Sequence, residues 1–189
     1  MVLGKRMLLA CVPAVAALVM SATPVAAAKP APSIPPEAQI ASTGIVTLDV
    51  VPISPTVMAA NLSKGGASSL QVMAVAGAVD CWSGHHWAYA KNSLGGILYE
   101  YHELHDWCGN GTYITYTNVF TWGANTNWGW GYQGDSKNSS YGLGWPKWNE
   151  TMSGHFCIRG PWGCLINGSP WLNFSVGAGG QTYYQSGGN

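Results

Sequence analysis

Seven consecutive residues, Glu100-Tyr101-His102-Glu103-Leu104-His105-Asp106, hold three of the six carboxylates that follow residue 79 and two of the chain's five histidines. Carboxylates and imidazoles are the groups of general acid–base catalysis and of divalent-ion binding. The string His102-Glu103-Leu104-His105 comes near the metalloprotease motif H-E-x-x-H, which needs its histidines four apart on one helical face. Here they are three apart. On a strand successive side chains alternate, so His102 and His105 point oppositely and cannot share one ion. One face then carries Glu100, His102, Leu104 and Asp106, and the other Tyr99, Tyr101, Glu103, His105 and Trp107. Glu100, His102 and Asp106 are the candidate catalytic residues, as an acid–base or ion-binding cluster. The competing account is a solvated face on which opposite charges pair. His85-His86 near Cys81 offers further imidazoles. The carboxylates Glu100, Glu103, Asp106, Asp135 and Glu150 reveal no pair at a glycosidase spacing, and the sequence has no nucleophile elbow, phosphate loop or dinucleotide fingerprint. No cofactor and no metal site is expected.

A second pattern suits binding. In Asn127-Trp128-Gly129-Trp130-Gly131-Tyr132-Gln133-Gly134, a strand would put Trp128, Trp130 and Tyr132 on one face over about 13 Å, opposite a face bared by Gly129 and Gly131. Such a row could stack sugar rings or a partner surface, with Trp145 and Trp148 extending it. The competing account is a core layer, because Trp is highly buried on average. Ten Trp crowd a module of modest size, so some are expected outside the core.

The elements that must position these residues read as strands. Alternating segments occur at 96–107, 112–122, 127–133, 155–159, 171–176 and 181–185, separated by Gly, Asn, Ser and Pro, and capped helical periodicity is missing after Asp80. The expected fold is all-β, a compact antiparallel β-sandwich or small barrel over 80–189. Cys81, Cys108, Cys157 and Cys164 fall inside it, an even number that suits disulfides. Of three possible pairings, the expected one joins Cys81 to Cys108 and Cys157 to Cys164, the latter across a Gly- and Pro-containing turn.

Residues 1–28 read as a secretory signal peptide, with Lys5 and Arg6, an apolar stretch from Met7 to Met20 and Ala26-Ala27-Ala28 before Lys29. The apolar stretch is short for a stable membrane span. Residues 29–79 lack aromatics and are rich in Pro, Ala and Ser, so they read as linker or propeptide, with a docked strand as the alternative. Eight basic against eight acidic residues, with no basic cluster, leave no electrostatic footprint for nucleic acid.

The runs Tyr99-Glu100-Tyr101-His102 and Trp107-Cys108-Gly109-Asn110-Gly111-Thr112-Tyr113-Ile114-Thr115, then Gly129-Trp130, Gly154-His155-Phe156-Cys157 and Gly163-Cys164, carry a resemblance. Over roughly 81–180 the chain is similar to a disulfide-containing all-β domain of secreted actinobacterial proteins, one to which no activity attaches. The resemblance implies export and a disulfide-linked β fold, and no catalytic residues. The expectation is a secreted, extracellular, non-catalytic module that binds glycan or cell envelope through exposed Trp and Tyr. Alternatives are an antimicrobial or toxin-like protein acting on envelopes, and a hydrolase using Glu100, His102 and Asp106.

Overall fold

The computed structural model describes residues 33–47 and 50–189, so the expected signal peptide, 1–28, lies outside the described residues. The strands are β1 (Ser42–Thr47), β2 (Val51–Ile53), β3 (Asp80–Lys91), β4 (Ile97–Gly109), β5 (Ile114–Ala124), β6 (Trp130–Tyr141), β7 (Lys147–Gly160), β8 (Gly163–Gly168), β9 (Trp171–Gly177) and β10 (Thr182–Gly188). Two helices, α1 (Pro55–Lys64) and α2 (Ser69–Ala76), lie between β2 and β3. Pro55 starts α1 where its missing N–H costs nothing. At the start of α2, Ser68 and Gln71 form a reciprocal capping box.

The strands make two antiparallel sheets. In the first, β3 is bordered by β4, with β5 beyond, and on its other edge by β2 along Cys81–Ser83 and β1 along His86–Lys91. In the second, β7 is bordered by β6 on one edge and by β9 and β8 end to end on the other, with β10 outside β9. Ala88, Leu98, Tyr99 and Tyr101 of the first sheet pack with Trp130, Met152, Phe156 and Leu172 of the second. Trp107 and Ile114 meet Trp148, Phe174 and Val176 in the same way. The expected all-β architecture of packed antiparallel sheets is therefore present, and so are both expected disulfides, Cys81–Cys108 and Cys157–Cys164.

In segment 29–79 the docked-strand alternative is the one present where the segment is described: β1 and β2 pair with β3, so this stretch is not a plain linker. It supplies an edge of the first sheet and two helices, whose Met58 and Val75 pack with Cys81, Cys108 and Tyr116 on that sheet's outer side. The boundary expected at residue 80 thus falls inside a sheet. Burying the apolar sides of these helices and pairing the β3 edge both remove surface that a module starting at 80 would expose.

Candidate functional site

The outer face of the first sheet gathers the polar and aromatic side chains in rows. Cys81 stands opposite Cys108, and antiparallel pairing from there sets Trp87 opposite His102 and His102 opposite Trp122. Strands about 4.8 Å apart hold such cross-strand neighbours at stacking distance. The His102 and Trp122 rings lie 5.0 Å apart and 4° from parallel, and Trp87 stacks on the other side of His102 at 5.3 Å. His85, one row along, stacks on Trp122 and places Nε2 3.1 Å from His102 Nδ1. His102 Nε2 in turn lies 3.3 Å from Glu100 Oε2, which also accepts a hydrogen bond from Asn125. Burial pushes both imidazoles below their ordinary value; His102 adds to this for His85, and the Glu100 carboxylate opposes it for His102. The rings are thus largely neutral at pH 7. Trp122 is 38% exposed and Phe120, beside it on β5, 52%.

Next to this layer, α1, α2 and the sheet enclose a cavity of about 320 Å³ lined by Asp106, Tyr116, Asn118, Phe120, Asn61 and Gln71 among others. Asp106 is pushed up by burial. The expectation that Glu100, His102 and Asp106 share a face holds, but they do not converge. Glu100 and His102 touch, while six residues of strand, about 20 Å, separate Glu100 from Asp106. That exceeds either carboxylate spacing used in glycoside hydrolysis.

The expected Trp platform does not form as a row. Trp128 is not on a strand: Trp128 and Gly129 both have positive φ, 56° and 84°, and Trp130 N–H donates to Asn127 O, which makes a tight turn before β6. Trp130 is 4% exposed and faces the second sheet's core side, its Nε1 donating to Ala38 O. Tyr132 shares that inward side and donates to Asp135. Trp148 is buried, with Nε1 donating to Ser140 Oγ. Of these five platform candidates, only Trp128 and Trp145, in separate loops, are exposed. The alternation on β6 is real, but the sandwich covers the face that carries the rings.

A second cluster lies between the sheets. Register sets His86 of β3 opposite Glu103 of β4, with His105 one step further along the same inner face. His86 Nε2 lies 3.5 Å from one Glu103 oxygen and His105 Nε2 3.0 Å from the other, and the imidazoles stack 4.9 Å apart. Phe174 of β9 stacks on both rings. Its cross-strand neighbour is Glu150 of β7, also buried. Burial drives both imidazoles down to about 3, Glu103 up to about 9 and Glu150 up to about 7. At neutral pH His86, Glu103 and His105 are then uncharged, while Glu150 is in mid-titration. Its donor set, two imidazoles and a carboxylate with ligating atoms all within 4.8 Å of one another, is one that can hold a metal ion.

Sequence pattern does not single out Trp87, Trp122 or Glu150 as site residues, and it offers His86 only as a further imidazole beside His85. A signal was present: once Cys81 is set opposite Cys108, an antiparallel ladder leaves His86 facing Glu103 and Trp87 facing His102. Glu150 had no such signal, because it arrives from the other sheet. The two disulfides suit an oxidising environment, and among the described residues no helix is long and apolar enough to cross a membrane. No family model, curated protein or solved structure matches the chain.

Proposed function

We propose that the chain is a secreted, non-catalytic binding module that holds an extracellular carbohydrate, of glycan or cell envelope, on the outer face of its first sheet. The observation that carries this reading is the Trp87–His102–Trp122 stack, at whose open end, on the edge strand β5, the Trp122 ring and the neighbouring Phe120 reach solvent. Sugar rings present apolar C–H faces and a rim of hydroxyls. The Trp122 and Phe120 rings suit the former, and Glu100, Asn125, His85, Asn118 and Asp106 the latter. The signal-like 1–28 segment and the two disulfides support export. The platform is thereby relocated from β6 to β3–β5.

Co-sedimentation with insoluble polysaccharides and peptidoglycan tests this. Loss of anchoring Trp side chains typically costs about 2 kcal/mol or more, so a folded Trp87→Ala/Trp122→Ala variant is expected to bind at least tenfold more weakly. Equal retention of variant and wild type would refute the reading.

A further inference from the structure

Six buried nitrogen and oxygen atoms of His86, Glu103 and His105, and both carboxyl oxygens of Glu150, have no aligned hydrogen-bond partner among the described residues. Buried polar atoms are nearly always paired, and an isolated unpaired group costs about 1–3 kcal/mol. Eight together, walled by Phe174 and Trp148, mark a place where one bound group can satisfy several of them at once.

We propose that His86, Glu103 and His105, completed by Glu150 from the facing sheet, form a binding site for one divalent transition-metal ion of the zinc class. Geometry favours this. Tetrahedral bonds of about 2.0–2.1 Å put neighbouring ligand atoms about 3.3 Å apart. His86 Nε2 and His105 Nε2 approach different Glu103 oxygens, at 3.5 and 3.0 Å, and one ligating atom from each residue lies within 4.8 Å of the others, so rotation of the stacked imidazoles brings all three to that spacing around one ion. The ligand chemistry excludes the hard ions: calcium and magnesium take oxygen sets, whereas two imidazole nitrogens suit zinc and its first-row neighbours. Two carboxylates and two neutral imidazoles balance a divalent charge, so the filled site is neutral inside an apolar sandwich.

Glu150 also provides the route. It lines a surface groove of about 200 Å³ with Val119, Asn138, Ser140 and Trp148, and Val119 is the cross-strand neighbour of His105. Ligands from β3, β4 and β7 would tie the two sheets together through one ion. The role is structural and independent of the outer face.

The test uses the untagged, disulfide-intact chain, unfolded and refolded with Zn²⁺ or with EDTA, gel-filtered, and assayed for bound zinc and Tm. One tightly retained zinc per chain and a Tm above that of the EDTA sample are expected. The same stoichiometry is expected for His85→Ala/His102→Ala, which removes the exposed imidazoles. Glu103→Gln, nearly isosteric, should lower zinc retention at least about tenfold. Should Glu103→Gln fail to fold, the visible absorption of wild type refolded with Co²⁺ decides, four-coordinate nitrogen–oxygen bands supporting the site and a hexa-aqua spectrum overturning it. The proposal is likewise overturned by zinc well below one per chain, by zinc lost with the outer-face variant, or by undiminished retention in folded Glu103→Gln.

Discussion

At the scale of single residues, Glu103 makes the sharpest claim on stability. In the folded chain burial keeps it protonated up to about 9, whereas in the unfolded chain it ionises near 4.5. Between those values the folded state binds more protons, so stability falls as pH rises across that window. Facing Glu103 are His86 from β3, Tyr101 and His105 from β4, Asp135 from β6 and Glu150 from β7. His86 and His105 are neutral throughout the upper half of the window, and Glu150 has titrated by about 7. Denaturant unfolding of the EDTA-treated chain is therefore expected to show about 2–3 kcal/mol less stability at pH 9 than at pH 7. Glu103→Gln should flatten the slope, and a wild-type slope matching the variant's would contradict the assignment. The residues of this cluster were half legible in the sequence. Strand alternation separates Glu100, His102 and Asp106 from Glu103 and His105, and the structure keeps that division. Charge and imidazole do not say which face is covered, because each face of β4 carries one His and one Glu in this stretch; the rings of Tyr99, Tyr101 and Trp107 mark the inner one.

At the scale of elements, the strands and disulfides were legible and the helices were not. Cysteine count, turn residues and alternation point to the same fold, whereas α1 and α2 sit in an aromatic-free stretch whose Pro and Gly content resembles a linker. Their caps, Pro55 and Ser68 with Gln71, are local signals that a composition average hides. The expected row on β6 failed because a ring-bearing strand face serves as core or as platform with one and the same pattern. Packing between elements is tight where glycine allows it. A Cβ on Gly154 of β7 would lie 2.6 Å from the Tyr101 ring across the sandwich. Tyr101 is fully buried and held by Asp135, so it has little room to yield. Gly154→Ala is expected to destabilise by about 1–3 kcal/mol, read as a lower denaturant midpoint. An unchanged midpoint would mean that the sheets are less closely packed there.

At the scale of the whole molecule, residues 33–79 are part of the fold rather than a tether to it. A chain beginning at Asp80 would bare the β3 edge and uncover Cys81, Cys108 and Tyr116. It is expected to lose cooperative thermal unfolding or to aggregate; a soluble truncated chain with the full-length Tm would contradict this architecture. The remaining question is which exposed aromatic surface serves the molecule. The outer β3–β5 face and the separate loop residue Trp145 are both solvent-accessible, so they can be compared directly. The most direct measurement is the affinity of wild type, Trp122→Ala and Trp145→Ala for the same insoluble glycan, each verified as folded. The account predicts that Trp122→Ala loses at least about tenfold in affinity while Trp145→Ala binds as wild type does. Wild-type binding by Trp122→Ala, or loss confined to Trp145→Ala, would contradict it.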